Sequence, residues 1–138
     1  MRALIRGGLV LIVLNLWTAG ILEAQENWTK QDRQGPVSVG VTLMPPPDGG
    51  APVKVKVVLD THSVALDGIK FEEAVTLRAP EGSDIGPTAV EQATGSGHHR
   101  EAVLLFPPLA GAGEVRVLVK NVGGVPERGF SWELPPSR

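Results

Sequence analysis

Cysteine is absent from the 138 residues. That excludes disulfides, thiolate catalysis, cysteine-ligated zinc and a lipid-modified cysteine. Stability then falls to a hydrophobic core, which a domain of roughly 100 residues can supply. Aromatics are scarce at 4%, so that core is expected to be mostly valine and leucine, capped by Phe106, Phe130 and Trp132. There is no basic excess either. The formal net charge is −2, whereas nucleic-acid binders ordinarily carry a basic stripe, so nucleic acid is not an expected partner. No internal repeat and no complete catalytic motif is present.

Glycine and proline, in contrast, are plentiful, at 17 and 12 residues. Beside valine-rich runs they signal short strands separated by turns, because both residues punctuate strands and stay out of their centres. After Pro36 the apolar residues recur with a period of two: Val37, Val39, Val41 and Leu43 alternate with Ser38, Gly40, Thr42 and Met44. Val53, Val55, Val57 and Leu59 repeat the pattern against Lys54 and Lys56. Further strands are expected over 74–78, 87–92, 101–106, 114–120 and 128–134, with a helical turn around Phe71. The run at 101–106 is apolar on both faces, which predicts a central strand. Val55, Val57, Leu104, Val117 and Trp132 are expected inside, and Lys54, Lys56, Arg116 and Lys120 outside. About seven short strands with turns between them predict a single all-β domain over 36–138, an immunoglobulin-like or fibronectin-like antiparallel β-sandwich.

The amino end follows the secretory pattern. Arg2 and Arg6 precede an apolar stretch from Gly7 to Leu22, and Leu22-Glu23-Ala24 offers a small residue for cleavage. That stretch falls short of the ~20 residues of a spanning helix and contains Asn15. The expectation is a signal peptide over 1–24 and a periplasmic or secreted protein; the alternative is an uncleaved inner-membrane anchor. Removal of Arg2, Arg6 and Glu23 takes the net charge from −2 to −3, which leaves no attraction to an anionic membrane. Residues 25–35 read as a flexible polar lead-in whose one bulky apolar residue is Trp28. Asn27-Trp28-Thr29 fits the N-glycosylation acceptor pattern, a triplet common by chance.

Strand parity locates a candidate site. If strands run alternately up and down, Asp60-Thr61-His62-Ser63, Gly95 to Arg100 and Asn121 to Arg128 share one pole. All three histidines, His62, His98 and His99, then gather there, provided that 87–92 is a strand. With Asp60 or Glu101 they would offer a nitrogen-and-oxygen set suited to zinc or copper(II). Neighbouring residues on an extended chain point to opposite faces, so His98 and His99 do not easily join one set. The plainer reading is that the histidines hydrogen-bond loop groups or face water. A Ser63–histidine–Asp60 triad is hard to form from neighbours on one strand end, and there is no nucleophile elbow. Glu72-Glu73 face apart, and Gly95-Ser96-Gly97 lacks the lysine of a phosphate loop. Gly123-Gly124 suits a turn with positive φ, and Arg100, Glu127 and Arg128 suggest an ion-pair cluster that ties the pole together.

The strings Asp-Thr-His-Ser at 60–63, Gly-His-His-Arg at 97–100 and Gly-Gly-Val-Pro-Glu-Arg-Gly-Phe-Ser-Trp at 123–132 resemble the marks of a family of uncharacterised exported bacterial β-sandwich domains. The resemblance runs from about the second strand to the carboxyl end. It implies a β-sandwich outside the cytoplasm and carries no activity. The function expected is therefore a non-enzymatic extracytoplasmic binding or interaction module, with a protein or envelope component as partner and no cofactor. The alternative is a copper- or zinc-binding exported protein that uses His62, His98 and His99.

Overall fold

The computed structural model describes residues 27–44 and 50–136. The export segment expected over 1–24 lies outside them. Among the described residues, nine strands and one helical turn follow in order: β1 (Thr29–Asp32), β2 (Val37–Met44), β3 (Val53–Thr61), α1 (Phe71–Ala74), β4 (Val75–Arg78), β5 (Asp84–Ile85), β6 (Ala89–Ser96), β7 (His99–Phe106), β8 (Gly113–Val122) and β9 (Val125–Leu134). They form two antiparallel sheets, a five-stranded one in the order β1-β2-β3-β7-β6 and a four-stranded one in the order β5-β4-β8-β9. The chain is all-β, as its period-two runs predict. Among the described residues no helix is long and apolar enough to cross a membrane.

Alternation decides which side chains meet. Val37, Val39, Val41 and Leu43 of β2, Val53, Val55, Val57 and Leu59 of β3, and Ala102, Leu104 and Phe106 of β7 line the inner face of the larger sheet. Val75 and Leu77 of β4, Val115, Val117 and Val119 of β8, and Phe130 and Trp132 of β9 face them and complete one cluster. Each valine, leucine or phenylalanine among them contributes about 1.5–3 kcal/mol on full burial. The five residues expected inside are all buried. Of the four expected outside, only Lys54 is exposed; Lys56, Arg116 and Lys120 are half-buried, Lys56 beside Glu101 and Arg116 against Gly129.

Three differences matter for the site. The stretch read as a flexible lead-in contains β1, which pairs in register with β2 from Thr29↔Thr42 to Asp32↔Val39. The fourth segment is a strand, longer than expected, and it is an edge strand with a bulge between Glu91 and Thr94. The run at 101–106 belongs to β7, which is interior to its sheet, with β3 on one side and β6 on the other, while β3 holds the centre.

Candidate functional site

The parity argument puts the three loop segments at one pole, and the backbone joins them there. Asp60 is the register partner of His99, and the Thr61 N–H donates to the His98 carbonyl at 3.0 Å. The hairpin between β8 and β9 arrives beside them: Val122 pairs with Val125 around Gly123 and Gly124, whose φ angles are +61° and +76°. Two consecutive positive φ values are what a two-residue hairpin loop requires. At Gly123 a Cβ would also lie 2.7 Å from Val37 Cγ2, so glycine is needed there for space as well as for conformation. Thr61 stitches the pole further, its hydroxyl donating to the Pro36 carbonyl at 2.8 Å and accepting from the Ser63 N–H at 3.2 Å.

The three imidazoles are held differently. His62 and His98 are exposed in the loops beyond β3 and before β7, and neither side chain makes a hydrogen bond among the described residues. His99 alone is built into a cluster, its Nδ1 lying 2.5 Å from Asp60 Oδ1 and its Nε2 3.5 Å from Glu101 Oε2. Glu101 in turn reaches Lys56 Nζ at 3.6 Å. These four side chains form a strip on the outer face of the five-stranded sheet. Register explains it: Asp60 and Lys56 stand on β3 beside His99 and Glu101 on β7, all on the outward parity. Among the described residues no group of three or more histidine, aspartate or glutamate side chains is arranged to hold a metal ion. Of the three histidines expected to form a set, His99 is turned to carboxylates, while His62 and His98 have no side-chain partner among the described residues.

The Asp60 carboxylate, hydrogen-bonded to the ring, raises the His99 pKa above its ordinary 6.5; desolvation opposes this, and the charge of Asp60 and the contact with Glu101 add to the rise. Only the imidazolium donates from both nitrogens, so an imidazole between two carboxylates is stabilised in its charged form. Neither nitrogen is then free to accept a proton. Ser63 makes no side-chain bond to an imidazole among the described residues, and its N–H is held by Thr61 Oγ1.

Beside the strip the sheet surface dips. Gly40 and Val58 floor a depression of about 440 Å³ between β1, β2 and β3. Arg33 and Gln31 stand on one wall, bonded to each other at 3.1 Å, and Asp60 stands on another. The dip exists because β2 carries glycine at the outward position between Ser38 and Thr42.

The two arginines of the pole have structural roles different from the ion-pair cluster expected of them. Each continues the inward row of its own strand: Arg100 precedes Ala102 on β7, and Arg128 precedes Phe130 on β9. Arg100 Nη1 donates to the carbonyls of Leu66 and Ile69 at 2.9 and 2.5 Å, and its guanidinium lies 4.9 Å from the Phe71 ring centre. Arg128 has a fully buried side chain, with Nη1 2.7 Å from Asp32 Oδ1 and Nη2 3.0 Å from the Val122 carbonyl. Glu127 forms no ion pair among the described residues.

Asp32 is the partner that the sequence reading missed, since β1 is polar on both faces. One signal was available: Trp28 is a bulky apolar residue just ahead of it, and it packs against the core. Comparison with protein-family models, with curated proteins and with solved structures finds no match for this chain.

Proposed function

We propose that this chain is a non-enzymatic binding module that works outside the cytoplasm and takes its partner on the outer face of the five-stranded sheet, at the histidine pole. The observation that carries the reading is the juxtaposition of the Asp60–His99–Glu101–Lys56 strip with the depression over Gly40 and Val58. An exposed sheet face with an ordered array of both charge signs beside an apolar-floored dip suits a protein or envelope component carrying complementary charges: an anionic group toward Arg33 and a cationic group toward Asp60. Both ring nitrogens of His99 being engaged by carboxylates favours recognition over acid–base chemistry.

The strand orders support an immunoglobulin-like assignment. The run β2-β3-β7-β6 parallels A-B-E-D, and β5-β4-β8-β9 parallels C′-C-F-G, with β1 as an additional edge strand. That assignment, the resemblance to exported bacterial β-sandwich domains and the secretory pattern of residues 1–24 belong to the same proposal. A photo-crosslinking residue placed at Ser38 tests it in the producing cell, with one at Thr76 on the outer face of the other sheet as control. A discrete adduct from position 38, lost on combining Arg33→Glu with Asp60→Lys, is expected. An adduct equally strong from position 76, or one indifferent to the charge reversals, overturns the reading.

A further inference from the structure

At the end of the molecule opposite the histidine pole, the edge between the two sheets opens into a cleft of about 410 Å³. It lies where β1 of one sheet runs beside β9 of the other. Trp28 and Trp132 provide its apolar wall, and the size and aromatic lining are those of small-molecule sites. Phe71, Phe106 and Phe130 are buried and Trp132 is only 6% exposed, so among the described aromatics it is half-buried Trp28 that supplies accessible surface.

The charges around the wall decide what it can hold. Lys30 reaches in from β1, its ammonium 5.2 Å from the Trp132 ring centre and hydrogen-bonded to the Ser131 carbonyl. The position that a cationic ligand would take against that indole is therefore already filled. Across the mouth stand Glu114 and Glu133, register partners on β8 and β9 and both exposed. Like charges directly opposite on neighbouring strands are destabilising, and they repel an anion as well. A ligand of either sign thus meets a like charge. A neutral, hydroxyl-rich ring does not: its C–H face can lie on the half-buried Trp28 indole, and its hydroxyls can donate to the carboxylates and accept from Lys30. Hydroxyl donors between Glu114 and Glu133 would also relieve the repulsion between them.

We propose that the Trp28–Trp132 cleft binds a neutral sugar ring. The site is separate from the proposed recognition surface, because the two lie on opposite faces of β1: Lys30 lines the cleft on the inward parity, while Thr29 and Gln31 line the depression on the outward one. The test is a titration of isotopically labelled full-length protein, followed by the indole N–H signals of its tryptophans, with cellobiose, maltose and diacetylchitobiose as probes. Tetramethylammonium chloride and sodium acetate serve as the charged alternatives. At least one disaccharide should saturate in the millimolar range and move the Trp132 indole signal. Trp28→Ala should then weaken it at least tenfold. Glu133→Gln, on an exposed residue that the fold does not need, should weaken it severalfold, and Asp60→Lys should leave it unchanged. Three results would each overturn the proposal: no saturation by any disaccharide up to about 50 mM, tighter binding of tetramethylammonium or acetate than of every sugar, or sugar binding indifferent to both Trp28→Ala and Glu133→Gln.

Discussion

The two ends of this molecule are closed by different chemistry. At the histidine pole the inward rows of β7 and β9 end in Arg100 and Arg128, and polar bonds seal that end. At the other end β9 carries Trp132 on the same inward row, with Trp28 beside it, and the two leave a cleft. An arginine can close a sandwich only if its guanidinium is satisfied, since a buried unpaired charge is costly. The sealed end accordingly recruits carbonyls from the loop before α1 and a carboxylate from β1. A tryptophan asks for less. Its indole N–H needs one acceptor, which the Asn27 carbonyl provides at 3.3 Å, and the ring can remain at a boundary with water. One end is therefore fixed by a network, and the other is held by packing with surface to spare.

The strongest way to break this comparison is to remove the carboxylate of the sealed end. Asp32→Ala leaves the fully buried Arg128 side chain with the Val122 carbonyl alone, and Arg128 Nε already has no partner. A loss of about 3–5 kcal/mol is expected in urea unfolding. Acid should act in the same way. Burial pushes the Asp32 carboxyl up, but hydrogen bonds from the Gln34 N–H and side chain and from Arg128 outweigh it and hold the pKa below the ordinary 3.8. A carboxyl depressed on folding stabilises the protein above its unfolded value, and that contribution is lost as the pH falls through the folded value. Wild type should therefore lose stability below about pH 4, and Asp32→Ala should lose less. An Asp32→Ala protein as stable as wild type at neutral pH would mean that packing closes both ends alike.

A second substitution tests the packed end. Trp132 is only 6% exposed, yet one side of its ring borders the cleft. Trp132→Ala should cost about 3 kcal/mol, the lower part of the range for large aromatic truncations, because water can fill part of the space left. A melting temperature unchanged by this substitution would remove the distinction between wall and core.

Much of this architecture was legible in the order of residues, and the exceptions share a cause. Strands with one buried face declare themselves by alternation, which is why β2, β3, β8 and β9 could be read directly. β1 could not, because Thr29-Lys30-Gln31-Asp32 has no apolar residue. Its inward positions, Lys30 and Asp32, meet β9 through charge rather than through hydrophobic surface. β5, at two residues, is too short to show a period. The candidate site divides along the same line. Parity brought the histidine-bearing loops together because the seven-segment count leaves out β5, whose direction β6 repeats; a count of every strand would have separated His62 from His98 and His99. Which imidazole finds carboxylates depends on register, and the pairing of Asp60 with His99 is a tertiary fact. The cleft was invisible for the same reason, since Trp28 and Trp132 are 104 positions apart in sequence.

The smallest expected effect concerns His99, and it asks whether the exposed strip shares in the stability of the sealed end. Its side chain is 53% exposed and that of Asp60 57%, so the pair is open to solvent and salt. With the imidazole pKa raised, the interaction stabilises the fold fully below the ordinary value of 6.5 and is lost as the pH rises through the folded value. For a pair this exposed the contribution should be under about 1 kcal/mol and should shrink with added salt. A proton NMR titration should place the His99 midpoint above its ordinary 6.5, and Asp60→Asn should bring it down. His99→Ala should scarcely move the melting temperature while it weakens partner capture at position 38. If instead His99→Ala destabilises the protein as much as Asp32→Ala does, the strip belongs to the structural network. The outer face of the five-stranded sheet would then lose its claim to be a recognition surface.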